Sequence, residues 1–186
     1  ARVAAGDNYS CAQLGNGSIW CWGRNNYGQL GNGTADLLDH PAPEATGITS
    51  GATWLMAATF HACAVRADGP DLQVWCWGRN GSDQLGHHFV DSYYAAAYPA
   101  QSYTEAASVD GTTNMTCALR SGGQVECWGC CELGAGETTG SQTPVSVSGL
   151  TDATVLGLGY QHGCALRSTG DVVCWGNNQY GQLGDG

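Results

Sequence analysis

Hydrophobic residues along this chain occur in short runs interrupted by glycine-containing turns. No stretch keeps a helical period of 3.6 residues for three turns without glycine or proline, so long helices are excluded. The short runs are rich in valine, tryptophan and cysteine, residues that fit strands. No apolar run approaches the roughly 18 residues that a transmembrane helix needs. The pattern therefore predicts an all-β fold.

The strand pattern repeats four times. Cys-Trp-Gly triplets begin at residues 21, 76, 127 and 174, a spacing near 50 residues. This period, with short strands and glycine turns, is typical of propeller blades or a β-solenoid. We predict one repeat domain over residues 1–186, divided at approximately 1–51, 52–106, 107–153 and 154–186, with the last repeat truncated.

Eight of the ten cysteines form four pairs, each of which brackets one turn. The pairs are Cys11/Cys21, Cys63/Cys76, Cys117/Cys127 and Cys164/Cys174. A turn at the midpoint places the two cysteines opposite each other in a hairpin, within reach of a disulfide. We predict one disulfide in each hairpin, with free buried thiols as the alternative. Such cysteine usage indicates an oxidising compartment and a secreted or cell-surface protein.

The remaining cysteines, Cys130 and Cys131, are adjacent and interrupt the repeat. Their loop is three residues shorter than its equivalents, and they replace Arg-Asn or Asn-Asn. A vicinal disulfide is the predicted outcome, because an even total allows every cysteine to pair. A bridge to another chain and free thiols are the alternatives.

Two segments carry a family resemblance. His162-Gly-Cys-Ala-Leu166 precedes Trp175-Gly-Asn-Asn-Gln-Tyr-Gly-Gln-Leu-Gly184, and the latter motif recurs as Trp22-Gly-Arg-Asn-Asn-Tyr-Gly-Gln-Leu-Gly31. These motifs resemble the repeat of the regulator of chromosome condensation, and the resemblance extends over the whole chain. It implies four-stranded blades of a seven-bladed β-propeller that acts as a guanine-nucleotide exchange factor or, more often, as a binding scaffold. The paired cysteines resemble a secreted variant. With four repeats, the expected fold is an arc of a larger propeller or a repeat assembly.

The charge balance excludes several functions. Sixteen acidic residues face six arginines and no lysine, for a net charge of −10. A basic patch for nucleic acid cannot form, and lysine-dependent phosphate loops or Schiff bases are impossible. No acid–base pair recurs at a defined spacing. We therefore predict no enzyme activity, no cofactor and no metal.

Several residues remain as candidate sites. The tryptophans of the triplets are predicted to pack between blades rather than to stack on sugars: Trp22, Trp77, Trp128 and Trp175. Trp54 falls outside the repeat and is expected to be exposed. His61 and His162 are equivalent and are expected to make structural hydrogen bonds. Arg66, Arg120 and Arg167 recur and predict bridges to backbone or to a tryptophan face.

Two clusters could bind a metal but are more simply interpreted as solvated loops: His87, His88 and Asp91, and Asp36, Asp39 and His40. Five sequons are candidate glycosylation sites: Asn8, Asn16, Asn32, Asn80 and Asn114.

These features predict a non-enzymatic extracellular scaffold built from disulfide-linked repeats, with other protein chains as partners through self-assembly or a surface contact, and glycans as a further class. A nucleotide-exchange or chromatin-binding propeller and a non-catalytic segment of a larger secreted enzyme are the alternatives.

Overall fold

The computed structural model describes residues 1–68, 71–87, 91–100, 103–136 and 140–186, which form fifteen β-strands and no helix. Blade one contains β1 (Arg2–Ala5), β2 (Tyr9–Gln13), β3 (Ile19–Arg24) and β4 (Asp39–Ala45). Blade two contains β5 (Ala52–Ala57), β6 (His61–Asp68), β7 (Asp71–Arg79) and β8 (Tyr93–Pro99). Blade three contains β9 (Ala106–Gly111), β10 (Met115–Arg120), β11 (Val125–Gly129) and β12 (Ser141–Ser146). Blade four contains β13 (Ala153–Gly159), β14 (His162–Arg167) and β15 (Val172–Gly176).

Each blade is an antiparallel meander in which consecutive strands pair. The first strands of the blades contact one another in series, β1 with β5, β5 with β9 and β9 with β13. The all-β prediction and the propeller-type blades are confirmed. Blades three and four begin at Ala106 and Ala153, one residue before the predicted boundaries. No helix within the described ranges is long and apolar enough to cross a membrane.

The hydrophobic core consists of three layers, one between each pair of successive blades. Adjacent strand residues point to opposite faces of a sheet. In blade two, Cys76 belongs to the layer shared with blade three, whereas Trp77 belongs to the layer shared with blade one. The Cys-Trp dipeptide therefore directs each disulfide towards the following blade and each tryptophan towards the preceding blade.

The structure joins all ten cysteines in five disulfides. The four hairpin bonds link cysteines that lie directly opposite each other, with Cα atoms 4.0–4.1 Å apart: Cys11–Cys21, Cys63–Cys76, Cys117–Cys127 and Cys164–Cys174. The fifth joins Cys130 to Cys131. The pairing is thus the one that the spacing predicts.

Candidate functional site

The geometry that repeats within this molecule lies where a loop of one blade meets a tryptophan of the next. Trp77 and Trp128 are fully buried. Trp77 Nε1 donates a hydrogen bond of 2.9 Å to the carbonyl of Gln29, and Trp128 Nε1 donates one of 2.9 Å to the carbonyl of Gln84. Each bond crosses from one blade to the loop that follows β3 or β7 of the preceding blade. The predicted inter-blade packing of these tryptophans therefore includes a directional bond.

The side chain of an asparagine holds each of these loops in shape. Asn25 Oδ1 accepts a hydrogen bond from the Leu30 amide at 3.1 Å, and Asn80 Oδ1 accepts the equivalent bond from Leu85 at 3.1 Å. Both asparagines are buried. A buried side chain that satisfies a backbone amide fixes the loop, so the glutamine carbonyl is held in position for the incoming indole.

Glycine is required where the loop approaches the tryptophan. Gly31 has φ +66°, and a Cβ on it would lie 2.9 Å from the Trp77 ring. Gly86 has φ +71°, and a Cβ there would lie 2.9 Å from Trp128 Nε1. Any side chain would clash and would also be strained at positive φ. The glycine of the Gln-Leu-Gly motif is thus explained by contact with the next blade.

The contact between blades three and four lacks this bond. Trp175 is 7% exposed, and its Nε1 has no hydrogen-bond partner within the described part of the chain. Glu132, which replaces the glutamine, has a buried Oε2 that is likewise unpartnered. Gly134 still approaches the Trp175 ring, since a Cβ would lie 2.7 Å from it. The packing of the tryptophan is retained in this interface, while its hydrogen bond to the loop is absent among the described residues.

His61 joins three blades through a chain of hydrogen bonds. The Tyr9 hydroxyl donates to the His61 carbonyl at 2.5 Å, and His61 Nε2 lies 2.9 Å from Thr116 Oγ1. The Thr116 hydroxyl donates to the Gln84 carbonyl at 2.7 Å. The hydroxyl must therefore accept from His61, which assigns the neutral Nε2–H tautomer. Burial, together with the Arg79 charge, lowers the pKa of His61 to about 3, so its role is structural.

Comparison with known proteins gives the same fold and the same repeat. Two models of the Regulator of chromosome condensation (RCC1) repeat match, one at residues 1–29 and 156–182 and the other at 16–58. The Arabidopsis thaliana Ultraviolet-B receptor UVR8 is 39% identical over 87 residues, which covers 46% of this chain and 19% of that protein.

Two crystal structures superimpose over the entire arc. Human WBSCR16 has a TM-score of 0.84 at 23% identity, over 99% of this chain and 49% of that one. Yeast RCC1 (Prp20), solved with Kap60, has a TM-score of 0.84 at 16% identity, over 100% of this chain and 45% of that one. The chain carries RCC1-type repeats and has the propeller-blade fold of these structures. It spans about half the length of these two structures.

Of the two clusters interpreted as solvated loops, the one that contains His87 is different in the structure. His87 is 1% exposed, and its ring contacts Tyr94 and Tyr98 edge-on. Burial lowers the pKa of His87 to about 4. The expectation of an exposed loop is therefore wrong for His87, while His88 lies outside the described residues. Within the described ranges, no group of three or more histidine, cysteine, aspartate or glutamate residues could hold a metal.

The residues of the second cluster are joined by hydrogen bonds to His40 in the connector of blade one. His40 Nδ1 lies 2.7 Å from Glu44 Oε1, and its Nε2 lies 3.0 Å from Asp36 Oδ1. Hydrogen bonds to Glu44 and then Asp36 raise the pKa of His40. Asp39 is exposed and pairs with Arg24 through the strand backbone. Ion pairing, rather than a metal, accounts for this pattern.

The sequons differ in accessibility. Asn8 and Asn16 are exposed, whereas Asn80 is 3% exposed and its carbonyl caps the Leu85 amide. Asn80 is therefore the least accessible of the five sequons in the folded chain, and we expect it to carry no glycan. Asn32 Nδ2, the atom that a glycan would occupy, donates to Glu44 at 2.5 Å. Asn114 is half-buried and accepts from Arg79.

Trp54 is also not the free surface residue that was expected. Its Nε1 donates to the Val109 carbonyl at 2.9 Å, and the Arg2 guanidinium lies 3.5 Å from its ring. It therefore connects the first strands of three blades. Asp110 makes a second contact of this kind, because its Oδ2 accepts a hydrogen bond from the Leu158 amide of blade four at 3.0 Å. The repeat pattern of the sequence indicates neither contact.

Two of the three repeated arginines, Arg66 and Arg120, make the predicted contacts, and Arg167 pairs with a carboxylate instead. Arg66 lies over the Trp75 ring at 4.7 Å. Arg120 donates to the Thr104 carbonyl at 2.9 Å and also pairs with Glu126, while Arg167 pairs with Asp152. His162, the counterpart of His61, is half-buried.

Trp22 differs from the other three triplet tryptophans. It is half-buried and lines an open cavity of about 560 Å³ with Asn8, Arg24, Leu37 and His40 among its other walls. At the opposite end of the arc, the loop at Gln182 keeps the shape of its equivalents. Its Leu183 amide donates to Asn178 Oδ1 at 3.0 Å. Blade one therefore presents a triplet tryptophan without a preceding loop packed on it, and blade four presents a loop without a following tryptophan packed against it.

Proposed function

We propose that this RCC1-type chain is a non-enzymatic extracellular scaffold that binds other protein chains. The covalent pairing of all ten cysteines supports the extracellular location. Disulfides in this number persist in oxidising compartments and are reduced in the cytosol or nucleus. A nucleotide-exchange factor or chromatin binder would work in those reducing compartments, so that alternative has less support.

The scaffold role is supported by how the repeat uses its distinctive side chains. Trp77, Trp128 and His61 are all buried in contacts between blades. These contacts stack sheets on one another and leave the outer faces of blades one and four as the candidate binding surfaces. Stacked repeats of this kind commonly present extended surfaces to partners.

The outer face of blade four carries apolar residues that the other blades bury. Val172 is 65% exposed, whereas its equivalents Ile19, Val74 and Val125 are fully buried beneath the following blade. Such a face matches the surface of another blade, and blade one presents the half-buried Trp22 that would receive it. We therefore propose that this face binds a blade-like surface of a partner chain, and that blade one of a second copy can serve as that surface.

Intact mass tests the location. Protein recovered from its natural source should gain about 2 mass units per disulfide on reduction, or about 10 in total. Protein that gains nothing on reduction would be a thiol protein, and the extracellular proposal would then be wrong.

Sedimentation velocity tests the scaffold role separately. The chain should associate as its concentration rises, and Val172→Asp should abolish this association by placing a charge in the contact. Leu14→Asp is the matched control, because Leu14 is 46% exposed in the turn between β2 and β3 and does not line the Trp22 cavity. A chain that stays monomeric at every concentration, or a control that behaves like Val172→Asp, would contradict the proposed contact.

A further inference from the structure

The loop of blade three is held by a different device from the loops of blades one and two. In those loops a buried asparagine, Asn25 or Asn80, accepts the leucine amide. In blade three Cys131 takes the place of that asparagine, and its bond to Cys130 forms a small ring that constrains the backbone at the start of the loop. Cys131 also has φ +80°, a conformation that side chains other than glycine rarely adopt. The covalent ring thus replaces a hydrogen bond as the constraint on the loop.

The same loop covers Trp175 imperfectly. Gly134 packs against the Trp175 ring, but the Nε1 of that tryptophan and the Oε2 of Glu132 are buried without partners among the described residues. At the other two interfaces the tryptophan donates to the loop. The loop that the disulfide constrains therefore leaves two buried polar groups unsatisfied among the described residues, and such groups cost free energy.

The Cys130–Cys131 bond is also accessible. Both cysteines are partly exposed and line an open cavity of about 500 Å³ together with Ser82, Asp83 and Gln161. The cysteines of the first three hairpin disulfides, in contrast, are fully buried. Cys164 and Cys174 are partly exposed, so they are the relevant comparison for selectivity.

We propose that the Cys130–Cys131 disulfide is a redox switch that controls the contact between blades three and four. A dithiol reductant supplies two electrons and two protons. Its first thiolate attacks one sulfur, the Cys130–Cys131 bond breaks and a mixed disulfide forms. Its second thiol then displaces the protein sulfur, which leaves two cysteine thiols and the oxidised cyclic reductant. Cys131 is then free to leave its positive φ.

Reduction loosens the loop because no asparagine is present to hold it once the ring is open. Gly134 then withdraws from Trp175, and water reaches the two unpartnered groups. Blade four is the element affected, since it contacts the rest of the chain through this interface and through β9 against β13. The three hairpin disulfides that are fully buried keep blades one to three intact.

Hydrogen exchange with stepwise reduction by dithiothreitol tests the switch. Alkylation mapped by mass spectrometry should label Cys130 and Cys131 first. Amide exchange in β13–β15 should then accelerate about tenfold or more, while exchange in β5–β7 should not change. Labelling of Cys164 or Cys174 first, or unchanged exchange in β13–β15 once Cys130 and Cys131 are labelled, would overturn the proposal.

A variant gives an independent arm. Cys130→Ser/Cys131→Ser should show fast exchange in β13–β15 without any reductant, and a low dose of dithiothreitol should add no further change. A variant with the slow exchange of the oxidised parent would overturn the proposal. If this variant does not fold, the titration of the parent chain still decides the question.

Discussion

The three equivalent tryptophans allow one substitution to be compared at three interfaces. Replacement of each by phenylalanine removes the indole N–H and part of the ring. The loss of packing is similar at the three positions and costs about 1–2 kcal/mol of the free energy of unfolding. Any difference between the variants therefore measures what the N–H does.

The structure predicts a different loss of stability for each of the three variants. In Trp77→Phe the buried Gln29 carbonyl loses its donor, which costs a further 1–3 kcal/mol, roughly. In Trp128→Phe the Gln84 carbonyl keeps the hydrogen bond from Thr116, so the added cost is only about 1 kcal/mol. In Trp175→Phe no bond is lost and an unpartnered buried N–H disappears, so the net cost falls to about 0–1 kcal/mol.

Urea unfolding followed by circular dichroism at 25 °C measures these costs, with Trp20→Phe as the control for a tryptophan that is 37% exposed. Because tandem repeats can unfold in stages, hydrogen exchange at each blade should accompany the denaturation curves. The expected order of destabilisation is Trp77, then Trp128, then Trp175. Equal costs at the three positions, or a Trp175→Phe variant that loses as much as Trp77→Phe, would refute the role assigned to the indole N–H.

Three further predictions follow from burial and backbone geometry. The pKa of His61 is lowered from about 6.5 to about 3, so the unfolded chain binds more protons than the folded chain between these pH values. The free energy of unfolding should therefore fall as the pH drops from 6.5 towards 5, by about 1.4 kcal/mol per pH unit. His61→Gln should reduce that slope in urea titrations. Gly31→Ala should destabilise the chain by about 1–3 kcal/mol more than Gly33→Ala, because both have positive φ but only Gly31 contacts Trp77; similar unfolding midpoints would contradict this. In secreted protein, peptide mapping should find glycans at Asn16 and none at Asn80; occupancy of Asn80 would mean that the glycan is added to a differently folded loop.

The hairpins could be predicted from the sequence because their determinants are local. A turn midway between two cysteines fixes which residues face each other, and the opposed pairs Cys11–Cys21 and Cys164–Cys174 follow from that alone. The same logic places Cys and Trp of one triplet on opposite faces. The repeat period does not predict which face of a blade contacts the preceding blade and which contacts the following one, because that depends on how successive sheets stack.

The sequence pattern does not show which residues about 50 positions apart come into contact. Trp54 reaches Val109 and Tyr9 reaches His61, contacts that exist only after the blades have stacked. Asn80 matches a sequon, yet its side-chain oxygen accepts a hydrogen bond from the Leu85 amide. A three-residue motif specifies chemistry but not burial, and burial decides whether that chemistry is accessible.

The arrangement of covalent and non-covalent links determines how this chain comes apart. Each hairpin disulfide closes a loop of about ten residues, which stabilises its own blade by roughly 2–3 kcal/mol and does not cross to the next blade. The stability of a repeat array is the sum of the stabilities of its repeats and of its interfaces. The disulfides therefore strengthen the repeats selectively, and the interfaces become the places where separation begins. Of the three interfaces, the one between blades three and four lacks the tryptophan hydrogen bond and borders the three-stranded blade. Blade four should therefore open first, with its Cys164–Cys174 hairpin still closed, long before blades one and two separate.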